Sequence, residues 1–473
     1  MPARLRPPRA RALDQTGARW RNLSVARGNS DGAAMLTAAQ AAGVLGVKLG
    51  TLYAYVSRGW VKSYRRKIGR QALYRRDDIE ALRGVVAPER GRRGRSLPPA
   101  TSWVTVAQAP AGESGAPGVH GVQGVIVAES AVSAIIEGRL CFRGYPIEEL
   151  VERASFEEVC LLLWGGERPR PEDAAALAAE VSGARIPDSV ASVLLAVGQD
   201  APPVWKLAAV MPSLAALERH QRTRPRIRQA ISIVSVLPLA LAEKAAPDSA
   251  QEGSGTAARL LSGARGAAPA DWEIHALDHM LVACAEHELN ASTFAARVVA
   301  STGADLYASV LAALCSMSGP IHGGACDRIE RLFDALSVGA KIDDRLDDRL
   351  DRFAREEQLP PGFGHAIYPE GDPRAALLKS NAVAIARRKG RRLLETALKI
   401  EQAVWKRNRL RPNLDFYLTV CARMLGFPQG LSAAIFAVGR TAGWIAHSLE
   451  QYADNRLIRP RMRYRGAELR HWA

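Results

Sequence analysis

The distribution of charge divides this chain before any motif is considered. The protein has 473 residues and a formal net charge of +16. Residues 1–100 hold 21 Lys and Arg against 6 Asp and Glu, a balance of +15, which leaves only +1 for the remainder. The chain must therefore contain a basic N-terminal part suited to a polyanion and a much larger, near-neutral globular body. Hydrophobic residues make up 48%, enough for that body to bury a sizeable core. A membrane-crossing helix needs about 20 mostly apolar residues. The longest candidate, Leu431 to Ala446, is interrupted by Arg440 and reads as a buried helix. The six cysteines are Cys141, Cys160, Cys284, Cys315, Cys326 and Cys421. They form no C-x-x-C pair and no disulfide framework, so a reduced, cytoplasmic compartment is expected.

Residues 1–34 are rich in arginine, contain Pro7-Pro8 and show no apolar period, which predicts a disordered basic extension. Many arginines with few acids also resemble a transit peptide. Folding signals begin at once at Leu36, which favours Met35 as the true start. Residues 35–84 read as a small winged helix-turn-helix module. Thr37 is an N-cap for a helix carrying Ala41, Ala42 and Leu45. A second helix is expected from Leu49 to Arg58, ended by Gly59. The basic stretch Lys62 to Tyr74 reads as a hairpin with Gly69 near its tip, and Asp77 caps a short helix through Leu82. Residues 85–117 form an Arg- and Pro-rich linker. From residue 118 the periodicity is mostly helical, with a short strand at Val125-Ile-Val-Ala128. Residues 244–270 are small and polar and read as an exposed loop. The run Asp343 to Arg352 reads as a solvated helix stabilised by i,i+4 pairs.

Three residues stand out for chemistry by their local settings. His322 lies in Ser318-Gly-Pro-Ile-His-Gly-Gly-Ala325, where glycines let a backbone and a ligand approach closely. His365 ends the rigid turn Pro360-Pro-Gly-Phe-Gly-His365. Asp415 lies in Arg411-Pro-Asn-Leu-Asp415, just after a proline that starts a helix. Arginines accompany them: Arg374 after Asp372-Pro373, Arg459 before Pro460, and Arg440 inside an apolar helix. A guanidinium among Ile435, Phe436, Val438, Trp444 and Ile445 is costly to bury without a carboxylate or an anionic ligand. Guanidinium forks bind carboxylates bidentately. Arginines gathered with imidazoles therefore suggest a small polycarboxylate substrate. His275 and His279 have i,i+4 spacing that can hold zinc. They lack a third ligand and read as ordinary helix histidines, so no metal site is expected.

These residues fall into a recognisable order. Phe142-Arg-Gly-Tyr-Pro-Ile-Glu-Glu-Leu150, His287-Glu-Leu-Asn-Ala-Ser-Thr293, Gly319-Pro-Ile-His-Gly-Gly324, Gly362-Phe-Gly-His365, Asp372-Pro-Arg374, Asn413-Leu-Asp415 and Gly443-Trp-Ile-Ala-His447 resemble the citrate synthases. The resemblance spans residues 118–466. It implies a mainly α fold of large and small helical domains, the small one roughly 325–425 and inserted in the large one. It implies Asp415 as the base that deprotonates the acetyl-CoA methyl group. His322 is then the donor to the thioester carbonyl, and His365 the group that polarises the oxaloacetate carbonyl. His287, Arg374 and Arg440 are implied as oxaloacetate ligands, and Phe436 as an aromatic near the condensing carbons. Arg459 would come from a second subunit, which implies a homodimer with shared sites. No cofactor is implied beyond acetyl-CoA as cosubstrate.

The resemblance has two gaps. Tyr368-Pro-Glu-Gly371 carries Pro369 where some citrate synthases have an arginine for CoA phosphate. Residues 200–270 lack the usual His-Pro-Met segment. Propionyl-CoA, and hence 2-methylcitrate synthesis, stays an alternative. Residues 36–83 resemble the helix-turn-helix of the MerR and excisionase groups. That resemblance implies DNA contact, with Lys62, Arg65, Arg66, Lys67 and Arg70 neutralising phosphates. A different function is also open: a DNA-binding regulator that senses metabolites through an inactive synthase body.

Overall fold

Reciprocal capping opens the first element. Thr37 Oγ1 accepts from the Gln40 amide at 3.3 Å, and Gln40 Oε1 accepts from the Thr37 amide at 2.9 Å. Two otherwise unpaired donors are thereby satisfied, and helix α1 (Ala38–Leu45) follows, burying Ala41, Ala42 and Leu45. The structure is a computed structural model that describes residues 35–45, 52, 64–65, 72–76, 79, 128–136, 138–218, 225–242, 255–337, 342–356, 358–460, 464 and 466–471. The chain divides into two units, 1–127 and 128–473.

In the first unit, β1 (Met35–Thr37), β2 (Tyr64–Arg65) and β3 (Ala72–Arg75) form an antiparallel sheet in the order β1-β3-β2. The expected basic hairpin is present as the β2–β3 pair. Strand β1 was not anticipated; Leu36 lies opposite Tyr74 on β3. Leu36, Leu45, Leu52, Tyr74 and Ile79 make a small core. The expected extension 1–34 and linker 85–117 lie outside the described residues, as do the helices at 49–58 and 77–82 apart from Leu52 and Ile79.

The second unit starts with a meander of β4 (Ser133–Ile136), β5 (Arg139–Phe142) and β6 (Tyr145–Pro146). Arg143 and Gly144 have φ of +50° and +88°, the twist of a two-residue hairpin turn. The strand expected at 125–128 falls almost wholly outside the described residues. Ala128 is in no strand, residues 125–127 lie outside the described residues, and pairing begins at Ser133. Hairpin turns at Gly138 and Gly144, both with positive φ, fix the register more strongly than a short apolar run does.

The following elements are helical: α2 (Ile147–Arg153), α3 (Phe156–Gly165), α4 (Pro171–Gly183), α5 (Asp188–Val197), α6 (Pro203–Glu218), α7 (Arg226–Ala240), α8 (Gly255–Arg265), α9 (Asp271–Cys284), α10 (Ala291–Ser301), α11 (Leu306–Met317), α12 (Ala325–Ser337), α13 (Ile342–Arg355), α14 (Pro373–Lys389), α15 (Arg392–Asn408), α16 (Leu414–Met424) and α17 (Leu431–Asp454). The mainly α architecture read from the sequence is the one observed. Helix α17 carries the apolar run and is buried on almost all sides, Arg440 included. No described helix is long and apolar enough to cross a membrane.

Two local expectations change. Residues 255–265, expected within an exposed loop, form the buried helix α8. Small residues serve close packing here: a methyl added at Gly263 would lie 2.9 Å from Ala242 Cβ. Glu157 Oε1 accepts from both the amide and the hydroxyl of Thr256 at 2.7 Å, which satisfies the start of α8. Composition alone cannot separate such a helix from a solvated loop. The charge run on α13 is helical as expected, and Leu346 and Leu350 are buried beneath it. Its acids also reach across to α15, where Arg407 pairs with Asp347 at 3.0 Å and Asp351 at 2.5 Å.

Candidate active site

His322 sits in the turn between α11 and α12, which closes through the His322 and Gly323 amides on the Gly319 carbonyl at 3.1 and 3.0 Å. The glycines let this turn fold onto itself. A methyl at Gly323 would collide with the Met317 carbonyl, and one at Gly324 would lie 2.8 Å from the Pro320 carbonyl. His322 Nε2 lies 2.9 Å from Ser292 Oγ on the first turn of α10. Ser292 Oγ also accepts from the Trp444 indole N–H at 3.1 Å and donates to Asn290 Oδ1 at 2.9 Å. The serine has one proton to give. It goes to Asn290 Oδ1, so the neutral His322 ring is the donor of the Nε2–Ser292 bond. Burial, then the nearby Arg440 charge, lowers the His322 pKa to about 4, so the ring is neutral near pH 7.

His365 and Asp415 are held by one clip of backbone. Phe363 and Pro412 pair in an antiparallel bridge. The Gly364 amide donates to the Arg411 carbonyl, and the Asn413 amide to the Gly362 carbonyl, each at 2.9 Å. Asn413 Nδ2 adds a bond of 3.2 Å to the Gly364 carbonyl. Gly362 has φ of +84°, and a methyl there would lie 2.9 Å from Ile329 Cδ1 and Phe416 Cβ; only glycine suits both demands. Pro412 is held in the bridge, so α16 starts at Leu414, two residues after the expected Pro412, with Asn413 as N-cap. Asp415 therefore lies on the first helical turn. His365 Nδ1 accepts from the Ile367 amide at 3.1 Å. Its Nε2 lies 3.4 Å from Arg374 Nη2. Burial and then Arg374 lower the His365 pKa.

Two guanidiniums complete the site. Arg374, beside the N-cap of α14, grips Asp372 through Nε at 2.9 Å and Nη2 at 2.8 Å. Asp372 also accepts from the Arg374 and Leu414 amides at 3.0 Å, which ties α14 to α16. Burial opposes the Arg374 charge, yet the Asp372 carboxylate holds its pKa above the ordinary value. Arg440 gives Nε to the Cys284 carbonyl at 2.6 Å and stacks 4.7 Å from the Phe436 ring centroid. Its Nη1 is buried and has no hydrogen-bond partner among the described residues. Burial lowers the Arg440 pKa to about 10, with Glu286 opposing the change.

His287, His322, His365, Asp415, Arg374, Arg440 and Phe436 all line one cavity of about 190 Å³. Burial raises the Asp415 pKa, against the lowering effect of Arg374. His287 lies 3.0 Å from the Tyr368 hydroxyl and edge-on to His365, with centroids 5.2 Å apart. The set pairs a basic carboxylate with neutral imidazole donors and guanidinium anion holders. It can remove a proton beside a carbonyl and stabilise the oxyanion that forms.

The sequence reading left out several residues of the site. Asn290, Met317, Gly323, Cys326, Asp372, Asn413 and Leu414 also line the cavity. Ser292 and Trp444 support His322 from behind, and Tyr368 supports His287. Ser292, Asp372 and Tyr368 lay inside quoted motifs, and hydroxyl or carboxylate groups next to site residues were the signal for them. Arg459 is exposed after α17 and does not line the cavity of its own chain. His275 and His279 lie on α9. Arg65 is described only as backbone of β2, and Lys62, Arg66, Lys67 and Arg70 lie outside the described residues.

The neutral histidines carry a pH signature. His322 in an unfolded chain titrates near 6.5, and in the fold near 4. Between those values the unfolded chain binds a proton that the folded chain does not. Stability from this group is therefore intact above pH 6.5 and declines as pH falls toward 4. His287 and His365, also lowered, act in the same direction; Asp415, raised, acts oppositely at lower pH. Melting curves should show wild type losing more stability between pH 7 and 5 than His322→Gln does. Parallel profiles would remove His322 as a source.

The family described as citrate synthase, C-terminal domain, matches residues 121–461, and a helix-turn-helix domain family matches 35–83. The chain is 33% identical to citrate synthase 2 of Bacillus subtilis over 361 residues, covering 74% of this chain and 96% of that protein. It is 33% identical to a 2-methylcitrate synthase of Shewanella oneidensis, covering 74% of this chain and 95% of that one. Among solved structures, citrate synthase from Thermoplasma acidophilum, in ternary complex with carboxymethyl coenzyme A and oxaloacetate, superposes with a TM-score of 0.64 at 27% identity. That match covers 73% of this chain and 96% of the other.

Proposed function

The chain belongs to the citrate synthase family, and from that premise we propose that it condenses acetyl-CoA with oxaloacetate and hydrolyses citryl-CoA to citrate and CoA. The observation that carries this reading is the convergence of Asp415, His322 and His365 on one cavity with Arg374 and with Nη1 of Arg440, which has no hydrogen-bond partner among the described residues. Asp415 removes a proton from the acetyl methyl group. His322 stabilises the enol at the thioester oxygen, the Ser292 hydroxyl turning from Asn290 to Nε2 so that the ring proton moves to Nδ1. A preorganised donor of this kind contributes about 3–4 kcal/mol to the transition state. The enol carbon attacks the keto carbon of oxaloacetate while His365 polarises and then protonates its oxygen. Arg374, Arg440 and His287 hold the oxaloacetate, and Phe436 packs beside the condensing carbons. Hydrolysis of the thioester follows in the same cleft. The charges are met by the chain's own arginines and imidazoles, with acetyl-CoA as cosubstrate.

Release of CoA thiol from oxaloacetate plus acetyl-CoA or propionyl-CoA tests the reading. Turnover with acetyl-CoA is expected. Faster turnover with propionyl-CoA makes the protein a 2-methylcitrate synthase, a reading that the equal likeness to such an enzyme supports. No turnover with any acyl-CoA ends the enzyme reading and leaves a metabolite-sensing regulator. The proposed assembly is a cytoplasmic homodimer, with Arg459 of the partner subunit completing each oxaloacetate site. Its exposure and its absence from the cavity of its own chain fit that role.

The helix-turn-helix match and the +15 charge of residues 1–100 support a second activity, DNA binding. The β2–β3 hairpin serves as a wing, and Lys62, Arg65, Arg66, Lys67 and Arg70 meet phosphates. In gel shifts with genomic fragments, log affinity should fall with log salt by about 0.9 for each phosphate neutralised. Neutralising these five residues should flatten that slope. Absent or salt-independent binding would overturn it.

A further inference from the structure

Two buried atoms of opposite charge stand near the proposed oxaloacetate site without meeting. Nη1 of Arg440 and Oε2 of Glu286 are both buried, and neither has a hydrogen-bond partner among the described residues. Glu286 Oε2 lies against Gly443 on α17, where an added methyl would collide with it and with the Ala285 carbonyl. Gly443 follows Arg440 by three residues and shares its side of the helix. Each charge stabilises the other through space, yet no ion pair joins them among the described residues. Opposite charges attract strongly in a low-dielectric interior, so a restraint must keep them apart.

That restraint is a ring of hydrogen bonds around the other carboxylate oxygen. Glu286 Oε1 accepts from Ser133 Oγ and from His447 Nε2, each at 3.0 Å. His447 Nδ1 lies 3.0 Å from Arg297 Nη1. A guanidinium only donates, so Nδ1 accepts and the ring proton sits on Nε2, aimed at Glu286. Arg297 is fixed in turn by Gln451 Oε1 at 3.0 Å and Glu450 Oε2 at 2.6 Å. Glu450 Oε1 accepts from the Ala131 amide at 2.8 Å, which returns the ring to the chain two residues before Ser133. Burial opposes the Glu286 charge, but His447, Arg440 and Ser133 hold its pKa below the ordinary value. Ser133 Oγ also accepts from the Glu288 amide at 3.1 Å. Both chain neighbours of His287 are therefore tied to β4.

We propose that His447 and Ser133 are positioning residues that hold the Glu286 carboxylate away from Arg440, so that the guanidinium stays free for a carboxylate of oxaloacetate. The proposal rests on the oxaloacetate reading above. Without the grip on Oε1, Glu286 closes on Arg440 and competes with the substrate from inside the protein.

Calorimetry with oxaloacetate, steady-state kinetics and ligand-free crystal structures of full-length variants test it. His447→Leu should raise the Kd and KM for oxaloacetate about 10- to 100-fold, the worth of a charge-assisted bond lost to a competitor. The kcat at saturating oxaloacetate should change only a few-fold, and the structure should show Glu286 paired with Arg440. His447→Gln, whose amide nitrogen can still donate to Glu286, should stay near wild type. Adding Glu286→Gln to His447→Leu removes the competing charge and should bring the Kd back toward wild type, which a merely loosened fold would not do. Should His447→Leu fail to fold, Ser133→Ala with and without Glu286→Gln makes the same comparison. If wild type does not bind oxaloacetate, a Glu286–Arg440 pair in the variant structure still upholds the restraint and defeats the oxaloacetate reading. Glu286 and Arg440 still apart in that structure overturn the proposal in either case. Where wild type binds oxaloacetate, so does an unchanged Kd, or a loss that Glu286→Gln does not relieve.

Discussion

Asp415→Asn is expected to lower kcat for CoA release by about 100- to 10,000-fold, the range for loss of a general base, while the KM for oxaloacetate changes little. Asparagine preserves size and leaves the N-cap and the backbone clip intact, because Asp415 contributes no side-chain bond to either. Its Oδ1 accepts only a long, weak contact from the Cys326 thiol at 3.8 Å. The defect should therefore appear in the chemical step and not in folding. Because burial raises the Asp415 pKa, wild-type kcat should also fall as pH drops into a range above that of an ordinary carboxylate. A variant with more than a tenth of wild-type kcat would mean that another group takes the proton.

Arg440→Met separates binding from stability. The wild-type guanidinium is fully buried, its pKa is lowered to about 10 by that burial, and its Nη1 has no hydrogen-bond partner among the described residues. Removing it should cost the substrate charge-assisted bonds of about 1.5–3 kcal/mol, which raises the KM for oxaloacetate roughly 10- to 150-fold. The fold loses the bond to the Cys284 carbonyl but is relieved of a desolvated charge, and an apolar chain of similar length fills the space among Phe436 and its neighbours. The melting temperature of the ligand-free protein should stay within a few degrees of wild type. A large drop in melting temperature with unchanged KM would make Arg440 a structural group and remove it from the oxaloacetate site.

Arg440 also shows what could be read from the sequence alone. A lone guanidinium in an apolar run has few solutions, and the buried helix with a cavity-facing donor is one of them. His322, His365 and Asp415 were legible because glycine and proline fix their turns, and the order of the motifs then gave each a partner. Ser292 and Trp444 were not legible as partners of His322, because that contact joins residues far apart in the chain. Strand β1 was missed for a related reason, since its pairing with β3 spans more than thirty intervening residues. Helix α8 was misread because glycine, alanine and serine suit both a solvated loop and a tightly packed helix. What distinguishes the two is the surface they meet, here Ala242 and Glu157.

The clip between the turns of His365 and Asp415 bears on how substrate choice can drift. Those two groups share a bridge and three hydrogen bonds, so neither moves far without the other. His322 hangs separately from α10 through Ser292. In the proposed reaction the acyl group lies in the gap between these two assemblies. Substitutions around Met317, Gly323 or Phe436 can widen that gap by a methylene while the spacing of His365 from Asp415 is retained. A lineage can therefore exchange a two-carbon for a three-carbon acyl donor by adjusting one seam, without having to rebuild its acid–base geometry.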